Sequence, residues 1–183
     1  LRASPTHEKS ARKEPRLHVR LQPPRPGYGH PAGPQDLLRL LDLIGAEARY
    51  GLRAVEFRQA SGSVDTVYGG RLCVPGRILL YEQPVSPWLL SGRPAPRLVA
   101  GLLRAGAQLQ HCPLTDSTRV DWPQGALRRF MLLEVFLHEL GHHVFQHHKG
   151  KRLLRVARTH DHEAFACAYA AHWRPAGLAA LEP

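Results

Sequence analysis

Apolar residues at 37, 38, 40, 41, 44 and 48 recur at helical spacing through "PQDLLRLLDLIGAEARYG", and Gly51 ends the run. This predicts a helix that begins at Pro34. "LRAVEFRQA" then alternates apolar and charged positions and predicts a strand. "VDTVYGGRLCVPGRILLYEQP" predicts two or three short strands, broken at Gly69-Gly70 and Pro75-Gly76, with "RILLYE" the strongest strand signal in the chain. Prolines interrupt the pattern from Pro84 to Pro123, where only "PRLVAGLLRAGAQLQ" has helical spacing. From Gln124 to His148 a long helix is expected, opened at Asp121 or Trp122-Pro123 and closed at Gly150. Its apolar residues cover most of the circumference, which suits a central helix. The basic stretch "KGKRLLRVARTHD" leads to a last helix, "HEAFACAYAAHW", expected to stop before Pro175.

Residues 1–34 differ in kind. They hold seven prolines, seven Lys/Arg and two acids, which predicts an extended or disordered arm ahead of a folded domain at 35–183. Leu17, Val19 and Leu21 alternate as a short edge strand would. With so few apolar side chains, residues 1–30 are expected to be dispensable for folding. The pattern as a whole predicts an α+β domain. No apolar run is long enough to span a membrane. The three cysteines, Cys73, Cys112 and Cys167, are far apart and show no CxxC, so a disulfide framework is not expected and a cytoplasmic, reducing location is. The formal charge of +10 favours acidic or nucleic-acid-associated partners, although an Arg-rich surface also serves solubility.

The concentrated chemistry lies in "VFLHELGHHVFQHH", Val135 to His148. His138, Glu139 and His142 spell HExxH. Residues four apart share a helix face, so His138 and His142 can direct two ring nitrogens at one zinc ion. Glu139 is rotated by about 100° from His138, which sets its carboxylate beside the ion as a general base for an attacking water. Catalytic zinc takes three protein ligands, so a third is needed. His148 lies ten residues after His138, but a continuing helix carries it about 15 Å along the axis. The spacing is similar to the metzincin pattern HExxHxxGxxH, which implies a chain-reversing glycine where Phe145 stands here. Glu163 opens the last helix, 21 residues after His142, with small residues behind it that allow close helix packing, and is the better third ligand. Cys167, Asp161, His160 and His162 are alternatives, as ligands or as groups that orient a ligand or an oxyanion. Glu134, one turn before His138, is a further candidate partner for a ligand imidazole, and His160 or Tyr169 for the oxyanion. His143 and His147 read as solvated residues at a helix end, where histidine suits the dipole.

With "GRILLYE", "FLHELGHHV" and "EAFACA" in this order, the chain resembles the gluzincin metallopeptidases, most closely those of the ImmA/IrrE type, over residues 64–172. The resemblance implies a minimal zincin-like domain: a small twisted sheet packed on the HExxH helix and on a C-terminal ligand-bearing helix. It implies zinc held by His138, His142 and Glu163, Glu139 as catalytic base, and protein substrates such as helix-turn-helix repressors. Two features depart from the family: Phe165 stands where Asp or Asn is usual, and the segment 82–126 is longer. SprT-like DNA-associated proteases are a neighbouring likeness and would require His160 or His162 as third ligand. On the peptidase reading a substrate binds extended, beside the "GRILLYE" strand. A different class of function fits the same residues: an inactive interaction module stabilised by zinc, its fourth ligand Cys167 or His148, with a basic arm for nucleic acid or an acidic partner.

Overall fold

The structure, a computed structural model, describes residues 17–61, 69–85, 87–148 and 160–181. Its order is β1 (His18–Leu21), β2 (Tyr28–Gly29), α1 (Pro34–Ile44), α2 (Ala46–Arg49), β3 (Ala54–Arg58), β4 (Gly70–Val74), β5 (Arg77–Tyr81), β6 (Gln83–Pro84), β7 (Trp88–Ser91), α3 (Pro96–Ala105), β8 (Gln108–Cys112) and β9 (Ser117–Asp121). Then come α4 (Ala126–Arg129), a π-helical segment (Phe130–Phe136), α5 (Leu137–His148) and α6 (His160–Leu181). This is a mixed α+β arrangement with small sheets. Among the described residues no helix is long and apolar enough to cross a membrane.

The main sheet has the order β1-β3-β5-β4. β1 and β3 run parallel to their neighbours toward β5, and β4 returns antiparallel to β5 through the Pro75-Gly76 turn. The continuous apolar run of β5 is explained by its central place: Ile78, Leu79, Leu80 and Tyr81 are all buried. β4, at the edge among the described residues, reaches the HExxH helix, with the Leu72 N–H bonded to Glu139, and "GRILLYE" lies next to it in the sheet.

Leu17 to Leu21 lie on the body as the alternating edge strand, each residue of β1 paired with one of β3. Arg25 is ion-paired to Glu82, whose side chain is fully buried. The Arg25 backbone N–H donates to the same carboxylate at 2.8 Å. The alternation of Leu17, Val19 and Leu21 thus marks a real edge strand, and the segment adds the Arg25–Glu82 pair that its composition did not indicate. Residues 1–16 lie outside the described residues.

Between Pro84 and Pro123, where little was predicted, β7, β9 and β8 form an antiparallel three-stranded sheet. Its signal was weak because polar residues such as Gln108, Gln110, Ser117 and Arg119 occupy one face. Trp88 and Trp122, with ring centroids 4.7 Å apart, dock it against Phe130, Trp88 edge-on at 5.9 Å and Trp122 tilted at 5.4 Å. α3 carries Pro at its first position, which suits the fixed φ of that site, and ends at Gly106 in the left-handed conformation.

The expected long helix starts at Ala126 and is not α-helical throughout. Phe130–Phe136 is π-helical, and the Leu137 N–H donates five residues back to the Leu132 carbonyl. Six of these seven residues are buried. π turns are rare and recur at functional sites, and this one ends two residues before His138. Its expected stop, Gly150, and the basic stretch after it lie outside the described residues.

α6 does not stop before Pro175 but runs through it to Leu181. Proline cannot donate to the Ala171 carbonyl, a loss of about 3 kcal/mol in a helix interior. Pro175 faces solvent, where water can meet that carbonyl, and the last turns bury Gly177 and Leu181. A side chain at Gly177 would come within 2.8 Å of Leu133.

Deleting residues 1–30 removes β1 from β3 and leaves the buried Glu82 carboxylate without Arg25, so the dispensability that composition suggests does not extend to residues 17–30. Stranding a buried charge costs several kcal/mol. The deletion is expected to lower the melting temperature by at least about 5 °C, read by circular dichroism. An unchanged melting temperature would contradict the packing described for β1 and Arg25.

Candidate metal centre

His138 and His142 both lie on α5, one turn apart, with their Nε2 atoms 3.1 Å from each other. The Glu163 carboxylate comes from the first turn of α6 and approaches both. Its oxygens lie 3.4 Å from His138 Nε2 and 3.3 Å from His142 Nε2. The two imidazoles and the carboxylate therefore form a triangle of groups, in which Oε2 of Glu163 faces His138 and Oε1 faces His142. Four ligands at about 2.05 Å from a zinc ion lie about 3.3 Å apart along the edges of a tetrahedron. The observed separations are close to that value before any ion is considered.

Helix packing explains why the triangle forms. A Cβ on Gly141 would meet the Ala166 Cα at 2.8 Å and the Ala166 carbonyl oxygen at 3.2 Å. The bare position on α5 thus receives the backbone of α6, which brings Glu163 within reach of the histidines.

The environment is graded from buried to open. His142 is fully buried, the His138 side chain is 15 % exposed and that of Glu163 34 %. Burial pushes the Glu163 carboxyl up, but His142, His138 and Arg97 outweigh it and hold its pKa below the usual glutamate value. Two imidazole nitrogens and a carboxylate this close repel through their lone pairs unless a proton or cation is shared among them. The donor set suits zinc, which accepts both imidazole nitrogen and carboxylate oxygen.

Glu139 is buried and belongs to the same cluster: His138, Glu139 and His142 each offer a ligand atom within 4.8 Å of the others. Glu163 adds a second carboxylate to the same two histidines. The Glu139 carboxylate is also engaged by β4, accepting a hydrogen bond of 2.6 Å from the Leu72 backbone N–H. This ties it to the sheet edge while it remains beside the histidines.

The other expected participants lie elsewhere. α5 continues unbroken through Phe145 to His148, so the chain reversal a third histidine ligand would need is absent. His160 and Asp161 are exposed on the first turn of α6. His162 is buried, its ring 4.3 Å from that of Phe145 and 6.4 Å from that of His142. Cys167 is a half-buried free thiol, as Cys73 and Cys112 are. Phe165 packs between Phe145 and Tyr169. Burial and the nearby Glu47 carboxylate raise the Tyr169 phenol above its usual range, and its ring sits between Phe165 and Trp173. Glu134 bridges Arg104, at 2.7 Å, and Arg174, at 2.6 Å, thereby joining α3 to α6.

The reading of His143 and His147 as solvated is corrected. His143 is fully buried, and its Nε2 lies 3.1 Å from the Tyr50 carbonyl oxygen. Burial, aided by His147, lowers its pKa to about 4 against the opposing effect of that hydrogen bond. The neutral ring then donates to Tyr50. The His147 ring packs against Tyr50 and lies so close to Gly51 that a Cβ there would be 2.2 Å away. The second histidine pair is thus a docking surface for the α2–β3 turn.

Arg97, which the pattern gave no reason to select, reaches the site from α3. Its guanidinium lies 3.3 Å from Glu163 Oε2 and 3.4 Å from His138 Nδ1. Only the fold reveals it, since it is 41 residues before His138 in sequence.

Compared with known protein families, with curated proteins and with solved structures, the chain matches none.

Gly141→Ala is expected to force α5 and α6 apart. Overpacking of this kind costs about 1–3 kcal/mol. The variant should unfold at lower denaturant concentration than the wild type, and equal midpoints would show that the two helices can separate freely.

Proposed function

We propose that this chain is a zinc-dependent peptidase of the gluzincin type, with His138, His142 and Glu163 as metal ligands. The observation that carries the reading is the convergence, from two helices, of two imidazole nitrogens 3.1 Å apart and a carboxylate whose two oxygens lie 3.4 and 3.3 Å from them. A bound zinc ion would supply a Lewis acid that polarises a peptide carbonyl and acidifies a water. Everything else is supplied by the chain.

Glu139 removes a proton from the attacking water and delivers it to the leaving amine. Its position supports that role, because it is buried beside the two ligand histidines. The Leu72 N–H orients it, so a proton can pass at a fixed place. The edge strand β4 is within reach of this carboxylate, which supports a substrate bound extended alongside it. Peptide backbone would then approach the site in a defined register. The likeness to ImmA/IrrE-type proteins motivates regulatory proteins as substrates, and the positive charge of the chain motivates partners associated with nucleic acid. A cytoplasmic site of action accords with the free cysteines.

Freshly purified, untagged protein is expected to carry one zinc per chain by elemental analysis. Glu163→Ala should weaken zinc binding by more than about 100-fold, given that even residues outside the ligand set cost 10–100-fold. His148→Ala should leave it nearly intact. The reverse pattern would replace this ligand set with one drawn from α5 alone.

Glu139→Gln is expected to keep zinc and fold while losing hydrolysis by about 10²-fold or more, since it removes the proton-accepting group. Cleavage at the wild-type rate would refute the assigned base.

A further inference from the structure

The side chain of Arg97 is 62 % exposed and sits at the open rim of the His138–Glu163 pair, whereas His142 is fully buried beneath. Its backbone is well placed for this. Arg97 is the second residue of α3, and Gly101, one turn later, is buried facing Glu134 and Phe130 of the central helix. α3 therefore holds the guanidinium over the next turn of the same helix, which carries His138.

The manner of contact separates Arg97 from the chain's structural arginines. Arg128 grips Asp36 with two nitrogens at 2.6 and 3.2 Å, and Arg104 grips Glu134 at 2.7 and 3.2 Å. Arg97 makes one 3.3 Å contact to Glu163 and lies 3.4 and 3.5 Å from the two nitrogens of His138. A side chain whose task is to orient a ligand carboxylate would hold it with the shorter, paired geometry. The guanidinium is always protonated and has no lone pair for a metal, so it cannot itself be a ligand. A cation in the triangle would repel it from the imidazole nitrogens and favour its turning toward an anion.

We infer that Arg97 is the group that stabilises the negative charge formed on the substrate carbonyl oxygen during hydrolysis, an inference that rests on the peptidase reading. Water oxygen bonds to the carbonyl carbon, the carbonyl π pair moves onto its oxygen, and Glu139 takes the water proton. The pair then re-forms the carbonyl as the C–N bond breaks, and the proton goes to the departing amine. Arg97 donates N–H to the oxygen while it is charged, from the α3 side of the site. Glu139 is anchored separately on β4. A donor aimed where charge develops acts mainly on the transition state.

The test compares wild type with Arg97→Ala and Arg97→Lys, using a quenched-fluorescent peptide that the wild type cleaves, selected from a random pool. Zinc affinity and the affinity for a phosphinic peptide, a tetrahedral anion, are measured alongside. Arg97→Ala is expected to lose kcat by about 10²–10³-fold. KM and zinc affinity should stay within about threefold, phosphinic peptide binding should fall in parallel with kcat, and added guanidinium should restore part of the rate. Arg97→Lys should recover only part of the loss, because it lacks the planar fork. An unchanged kcat would overturn the assignment. So would a fall in zinc affinity that matches the fall in kcat, since Arg97 would then be holding Glu163. A wild type that binds no zinc would strike the peptidase reading itself, and this inference with it.

Discussion

The contact between Gly141 and the backbone of Ala166 governs the rest of the site. A helix holding HExxH can offer two histidines, but a carboxylate from another helix reaches them only if the two axes come close. The missing side chain at Gly141 and the small residues Ala166 and Ala170 permit that approach. Glu163, one turn before Ala166 on the same helix, is carried to within 3.4 Å of both imidazoles. A larger residue at 141 would act on the site through distance alone.

Around this seam the four described histidine rings of α5 divide into two pairs with opposite surroundings. His138 and His142 face Glu163 and, at the rim, Arg97. His143 and His147 face the Tyr50–Gly51 turn, where a neutral, buried ring serves as hydrogen-bond donor and packing element. The crowding of imidazoles in so short a stretch therefore has two causes. One pair gathers lone pairs and negative charge at one place, an arrangement that favours a bound cation. The other seats the helix against α2. The charged groups nearby follow the same economy of position: Glu134 ties α3 to α6, and the tie keeps Arg97 over His138.

Local pattern made much of this legible. The spacing of HExxH placed His138 and His142 on one face, and the small residues after Glu163 signalled a helix able to pack closely. The strands on either side of Pro75-Gly76 followed from β-branched and apolar runs bounded by turn residues. What pattern could not supply was long-range. The alternation at Leu17, Val19 and Leu21 suggested an edge strand, but its partner β3 and the Arg25–Glu82 pair lie beyond local reach. Pro175 ended the helix by local rule, but burial of Gly177 and Leu181 carries it onward. The three-stranded sheet hid behind polar faces and prolines. His143 looked solvated because a histidine near a helix end is locally unremarkable, and only the Tyr50 carbonyl explains its burial. Arg97 had no signature, since its meaning is set by what α3 packs against.

The central claim is an ion held by two histidines and one glutamate with a position left open for substrate. X-ray absorption at the zinc edge of the loaded wild-type protein tests it most directly. The account predicts two imidazole nitrogens and one carboxylate oxygen at about 2.0–2.2 Å, plus one light atom from solvent that a small thiol or hydroxamate replaces. A shell that includes a sulfur at about 2.3 Å in the protein alone, or four protein ligands that no added ligand displaces, would show a closed structural site and contradict it.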